Sequence, residues 1–196
     1  MLPLDDPRWN KMTCARGSAT KVPAIVQRLQ HCLDDATEVD RDLLGELSET
    51  CHQWSTYDST YAIVPHLVQI CARTRPGNVG RIEVLAWVGW CVACLRLNRT
   101  AAPPELVDWF EESVLTARLL IAESLPHVAV EEKVYHLRTL RSLLAAFAAC
   151  HGNPGLAFVL YELESGGTKC GHCGNFFEPL KSSLNPFFAA TGGTIG

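Results

Sequence analysis

Apolar residues recur every three or four positions along most of this chain, which is the period of a helix with one buried face. The first such stretch, about 23–32, uses Val22, Ile25, Val26 and Leu29, and Pro23 suits a first turn, where its missing N–H costs nothing. The second, about 39–53, uses Leu43, Leu44 and Leu47. The third runs to about 74 with Tyr61, Val64, Leu67, Val68 and Cys71, and Pro65 within it predicts a kink. The fourth, about 79–97, is apolar nearly all round between Val84 and Leu95, so it is predicted to lie at the centre of the domain. Pro103-Pro104 opens a fifth, to about 123. The sixth, about 130–150, is predicted to face inward through Val134, Leu137, Leu140, Leu144 and Phe147. Gly152-Asn153-Pro154 reads as a helix stop, an N-cap and a new first turn, with the seventh helix running to about 164.

No alternation of period two is sustained before residue 175, while 175–180 reads as a short strand. Between the second and third helices, Ser55 and Asp58 have capping-box spacing, with Asp in place of the usual Glu or Gln. Residues 1–20 are predicted to lie over the surface of the first helices, and the Gly/Thr-rich end to fray. The organisation is therefore a helical domain over 1–165, a cysteine-bearing tail over 166–185 and a flexible end over 186–196. Internal repetition is weak. Val22-Pro23-Ala24-Ile25, Val64-Pro65-His66-Leu67 and Leu125-Pro126-His127-Val128 share an apolar-Pro-x-apolar word, and the first two lie 42 residues apart (23 to 65). That spacing falls within the ~40–47 residue period of HEAT and armadillo arrays.

Composition narrows the class. The chain has 196 residues, 47% hydrophobic and 19% charged, which excludes a disordered protein. A formal charge of −4 gives no basic field of the kind nucleic-acid binders carry, so nucleic acid is not an expected partner. The start, Met1 to Trp9, is acidic and proline-broken, unlike a secretory signal. The longest uncharged apolar run, 85–95, is far short of the ~20 residues of a membrane span. The expectation is a cytoplasmic protein with no membrane partner. Nine cysteines leave one over in any disulfide scheme, and Cys32, Cys71, Cys91, Cys94 and Cys150 sit among apolar residues, as reduced core thiols do.

The most specific chemistry is Cys170-Gly171-His172-Cys173-Gly174. Two thiolates at this spacing supply half of a structural zinc site, which needs four ligands. Candidates for the other half are Cys150-His151 after the sixth helix, Cys51-His52 before the third, and His172, which lies between the two thiolates and would have to bind in a strained geometry. The same Cys-Gly-His-Cys word occurs in dithiol oxidoreductases, but there a strand precedes it and a helix follows. A second constellation, His52, Gln53, Trp54, Tyr57, Asp58, Tyr61 and His66, gathers polar aromatics around a helix start. It reads either as a binding groove or as a capped helix end with packed tyrosines, and His66 as a hydrogen-bonded core histidine. Glu105, Asp108, Glu111 and Glu112 read as a solvated face or a partner's docking surface. No phosphate loop, nucleophile elbow or His-Glu-x-x-His helix is present.

Several words together resemble a group of bacterial HEAT-like repeat proteins of unassigned function. They are Leu2-Pro3-Leu4-Asp5-Asp6-Pro7-Arg8-Trp9, Gly17-Ser18-Ala19, Cys51-His52-Gln53-Trp54-Ser55-Thr56-Tyr57 and Thr60-Tyr61-Ala62-Ile63-Val64-Pro65-His66-Leu67, with 170–174 matching a terminal Cys-x-x-Cys-Gly. The chain departs from the pattern at Trp54, where glycine is expected. The resemblance implies a solenoid-like helical fold and supplies no reaction. The expectation is an all-α fold of six or seven helices in HEAT-like antiparallel pairs, closed by a Cys-x-x-Cys knuckle that binds zinc. Its expected function is interaction with another protein. The alternatives are a HEAT-like nucleic-acid repair enzyme, a metal-dependent catalyst or a thiol redox protein.

Overall fold

The computed structural model describes residues 1–34, 41–52, 55–98, 100–128, 134–163, 168–169 and 176–177, and it is mostly helical. The helices are α1 (Val22–Asp34), α2 (Arg41–Leu47), α3 (Asp58–Arg73), α4 (Val79–Leu97), α5 (Pro104–Val128), α6 (Val134–Cys150) and α7 (Pro154–Glu162). They fall into two layers. α3 packs between α1 and α5 in one layer, while α4 lies on α6, and α7 covers both α4 and α6, in the other. The intervening pairs α3–α4 and α5–α6 join the layers.

α4 is the centre because its sequence leaves it no polar face. Val84, Leu85, Val88, Cys91, Val92, Ala93 and Cys94 are all fully buried. Each large apolar side chain taken out of water contributes ~1.5–3 kcal/mol, so this helix concentrates the folding drive. Its start is capped as short polar residues dictate: the Asn78 side chain accepts from the Arg81 amide at 3.0 Å. The opposite kind of end closes α6. Gly152 has φ of +80°, Asn153 N–H bonds to the Ala148 carbonyl at 2.9 Å, and Gly152 N–H bonds to Ala149 at 3.1 Å. This is a Schellman motif, and Asn153 then caps α7 by accepting from the Leu156 amide.

Other expectations are corrected. The second helix does not reach residue 53: α2 stops at Leu47, a 3-10 turn spans Ser48–Thr50, and a strand β3 (Cys51–His52) pairs antiparallel with β4 (Ser55–Thr56). Ser55 is thereby used in a hairpin and caps nothing. α3 instead begins after Tyr57, whose N–H donates to Thr60 Oγ1 at 3.0 Å. α5 runs on through Pro126, because one lost hydrogen bond in a last turn is cheaply borne. On α6, Leu144 is exposed and Leu143 is buried, because the inner face is built from Leu143, Ala145, Ala146 and Ala149. Val134 and Leu137 have side chains outside the described residues, whereas Leu140 and Phe147 pack at the edge of the core.

The first 20 residues enter the core instead of covering it. Leu2 is 0% and Trp9 2% exposed. The Trp9 indole N–H donates to the Pro3 carbonyl at 2.9 Å, and His66 Nε2–H donates to that of Leu2 at 2.7 Å. Two residues of strand, β1 (Thr13–Cys14), pair with β2 (Gly17–Ser18), and Gly17 takes the left-handed φ of +117° that the turn needs. A further pair, Thr168–Lys169 with Phe176–Phe177, includes part of the strand expected at 175–180. Pairs this short show no alternation that a sequence pattern can register.

α4 and α6 are in close contact at Gly89, where an added Cβ would lie 2.1 Å from the Ala146 Cβ and 2.2 Å from its Cα. Helix propensity alone favours Gly→Ala in a helix interior by ~1 kcal/mol. Gly89→Ala nevertheless should destabilise the fold by about 3 kcal/mol or more, since backbone must move to admit the methyl. Ala146→Gly should not rescue it, because the Ala146 Cα is itself in the way. Urea midpoints of the three variants check this, and a Gly89→Ala protein as stable as the parent would refute it.

Candidate functional site

The expected polar-aromatic constellation is divided among four places. Asp58, at the start of α3, turns towards the first hairpin: its Oδ1 accepts from Thr13 N (2.7 Å), Thr13 Oγ1 (2.8 Å) and Ser59 N (3.0 Å). His66 lies two turns further along α3, buried against Trp9 and Leu2, as a hydrogen-bonded core histidine. Tyr57 is half-buried at the N-cap. Gln53 and Trp54 lie outside the described residues, and His52 is described through its backbone alone.

Tyr61 reaches a cavity. One turn into α3, its hydroxyl donates to the Thr100 carbonyl at 3.2 Å, and its ring meets Phe110 edge-on at 5.3 Å. The loop after α4 is pinned to the β3–β4 hairpin here. Thr56 Oγ1 donates to the Asn98 carbonyl at 2.9 Å, and Thr100 Oγ1 to that of Thr56 at 2.8 Å. These bonds hold open a cavity of about 450 Å³ between the end of α4 and the start of α5. Leu95, Ala102, Val107 and Phe110 make its walls apolar. Its charged groups are Arg96 and Glu111, joined by two hydrogen bonds of 2.6 and 2.5 Å. The Arg96 guanidinium also lies 5.9 Å from the Phe110 ring centroid. Pairing with Glu111 raises the Arg96 pKa further above its ordinary value, so the cation is permanent. Leu95, Phe110 and Tyr61 are themselves buried, so the cavity presents little apolar surface beside Thr100 and the ion pair.

The candidate metal ligands are dispersed. Cys51 is buried against Cys91 and Cys94, which α4 presents one turn apart. Burial, with the Cys51 contact, holds the Cys91 thiol well above its ordinary pKa; for Cys94 the hydrogen bond with Cys51 is the larger cause. Cys91 and Cys94 are core thiols, as their helical surroundings predict, and Cys51, a candidate metal ligand, is buried with them. Cys150 ends α6 inside the core, where burial pushes its thiol up to about 12. The adjoining His151 is exposed, stacked on Phe147 at 3.9 Å. Among the described residues, no group of three or more His, Cys, Asp or Glu side chains is arranged to hold a metal ion. Cys170, His172 and Cys173 lie outside the described residues.

Sequence reasoning missed Arg96. Its partner Glu111 was visible only as one of four acids on a helix, and nothing local joins residues from two different helices. Half of that acidic set is in fact paired, Glu105 with Arg8 and Glu111 with Arg96.

Burial holds His66 below its ordinary value of 6.5, an effect the bond to the Leu2 carbonyl opposes in part. The folded state therefore binds this proton more weakly than the unfolded chain. The stability carried by the neutral ring is complete above 6.5 and is lost as pH falls from there through the folded value. Urea midpoints measured from about pH 8 down to about pH 5 should fall for the parent and fall less for His66→Gln, which keeps an N–H donor for Leu2. Parallel curves would refute the assignment. No helix among the described residues is long and apolar enough to cross a membrane. No family model, curated protein or solved structure matches the chain.

Proposed function

We propose that this chain is a protein–protein interaction module of the HEAT-like helical-repeat type. The observation that carries this reading is the outer face of α5, where Leu115 is 59% and Leu119 67% exposed one turn apart. Two adjacent large apolar side chains held this far into water are costly unless something covers them. The layering of α1, α3 and α5 on one side and α4 and α6 on the other supports the solenoid-like reading, since paired helices in stacked repeats pack this way. The same strip carries exposed Asp108 and Glu112 before the leucines and Glu123 after them. Glu123 is paired with Arg81, so the acids without an ion pair among the described residues, Asp108 and Glu112, lie at one end of the strip. The fitting partner is a different polypeptide, with an apolar segment flanked by basic residues. A cytoplasmic setting belongs to the same proposal, because six of the seven described cysteines are buried, as reduced thiols are.

A photo-crosslinking residue in place of Leu119, used in the producing cell, should give one adduct of defined mass with a second polypeptide. Leu115→Glu should abolish that adduct without lowering the melting temperature. An adduct only with itself, or none, would refute the reading.

The tail supplies a second proposal, a zinc clasp on Cys170 and Cys173. The antiparallel pairing of Thr168–Lys169 with Phe176–Phe177 supports it, because the paired residues flank both cysteines in the sequence. Purified protein should contain about one zinc per chain, and Cys170→Ser or Cys173→Ser should lose the metal. Metal-free parent protein would end the proposal.

A further inference from the structure

We infer that the polypeptide docking on α5 does so as a basic amphipathic helix, with one large apolar side chain in the groove between α3 and α5 and a lysine or arginine against Glu112. This inference rests on the outer face of α5 being an interaction surface. It adds a second anchoring point and the chemistry of the occupant.

The groove follows from the way the two helices pack. α3 and α5 lie side by side and run in the same direction. Tyr61 meets Phe110 near their starts, and Arg81 bridges Thr74, just past the end of α3, to Leu120. Between them lies a groove of about 320 Å³. Pro65 and Val68 are its buried floor. Its sides are open to solvent: Met1 and Ala72 are exposed and Trp109 is half-buried. Ser113 adds no free polar group, because its hydroxyl donates to the Trp109 carbonyl at 2.7 Å. The surface offered to an occupant is thus apolar and wide enough for one large side chain.

The groove and the exposed leucines belong to one surface. Around α5, Glu112 stands roughly 60° from Trp109, and Leu115 and Leu119 roughly 80–120° from it in the same sense. Ser113, in the groove, and Leu119 are about 9 Å apart along the axis, a distance a partner helix covers within two of its own turns. An apolar residue in the groove and others three to seven positions further on therefore reach both places from one helix face. Glu112 lies between them, at the rim. Asp108 and Glu112 are one turn apart, and neither has an ion pair among the described residues. Like charges at this spacing repel each other, and a cation on the partner removes that repulsion. The exposed cation on the α3 side, Arg73, is at the other end of the groove, beside Thr74. The partner's basic residues accordingly belong at the Asp108–Glu112 end.

A photo-crosslinking residue in place of Ala72, on the wall of the groove away from the leucines, is compared in the producing cell with the one at Leu119. Both positions should give the same adduct. Sequencing of the crosslinked peptide by mass spectrometry should find a lysine or arginine within about one helical turn of the residue joined at position 72. A synthetic peptide of that partner segment should bind the purified full chain and gain helical circular dichroism on binding. Glu112→Lys should weaken it about tenfold or more, and added salt should weaken the parent complex more than the variant's. Ala72→Trp fills the groove from an exposed position and should also weaken the peptide about tenfold. Melting curves establish that both variants are folded. An adduct at Leu119 with none at Ala72, or with a different polypeptide there, would overturn this inference and leave the interaction surface standing. So would a crosslinked segment without a basic residue in reach, a peptide that binds without gaining helix, or undiminished binding by folded Glu112→Lys or Ala72→Trp protein. Adducts at neither position, or only with a second copy, overturn both.

Discussion

The contact between Gly89 of α4 and Ala146 of α6 is the constraint around which the helical layers are arranged. Two helices can approach this closely only where neither carries a side chain larger than a methyl group. α6 meets the requirement with Ala145, Ala146 and Ala149, all buried. The approach also fixes α7. The Tyr161 hydroxyl donates to the Ala86 carbonyl at 2.9 Å, and its ring meets Trp90 edge-on at 5.0 Å, so α7 is held at the residue after Gly89 and one turn before it. The central helix, its layer partner and the covering helix thus share one small patch. A change there is felt by all three.

The joint between the layers is polar. Arg81, in the first turn of α4, is a buried arginine with only 3% of its side chain exposed. It donates to the Thr74 carbonyl at 2.5 Å, to Leu120 at 3.2 Å and to the Glu123 carboxylate at 2.9 Å. The end of α3, the start of α4 and the second half of α5 are thereby fixed to one planar group. Its Nε alone has no partner. Such a group contributes little over a well-packed apolar one, but removing it alone would strand the Thr74 carbonyl, since Leu120 also accepts from Ser124 Oγ at 2.9 Å. Arg81 therefore specifies register between layers more than it adds stability. The Cys71 sulfur beside the Arg81 carbonyl completes this joint, and burial pushes that thiol up to about 12.

Local information was enough to find the seven helices, because periodicity and caps act within a few residues. Asn78, Gly152 and Asn153 work as their side chains and backbone freedom dictate. The fourth helix was legible as central because it is long and apolar nearly all round between Val84 and Leu95, whereas α7, equally apolar, is only nine residues long. The misread parts depend on neighbours. Period alone placed Leu144 inward, but the alanine face is the one that lets α6 reach α4. Ser55 had the spacing of a cap, but strand pairing with His52 claimed it. Tyr61 was recognisable as a candidate site residue; its partners Arg96, Phe110 and Glu111 were not, since the cavity exists only once α3, α4 and α5 are packed. The insertion of Leu2 and Trp9 into the core was invisible for the same reason. Their polar and proline-rich surroundings read as a surface strap, and only the His66 bond at Leu2 shows why the strap is held in.

α5 carries two chemistries on consecutive residues. Glu111 faces the cavity and Glu112 the outer surface, about 100° apart around the helix. Acids crowd this half of the helix for a reason that needs no partner, since negative charge near an N-terminus opposes the helix dipole favourably. Arg8 and Arg96 neutralise two of the four, leaving Asp108 and Glu112 on the outer face without an ion pair among the described residues. The acidic strip is therefore weak evidence for docking when taken alone. Dipole and capping give no account of Leu115 and Leu119, which gain nothing from their position in the isolated chain. In the proposed interaction the leucines would therefore carry the surface and the acids would only set its polarity.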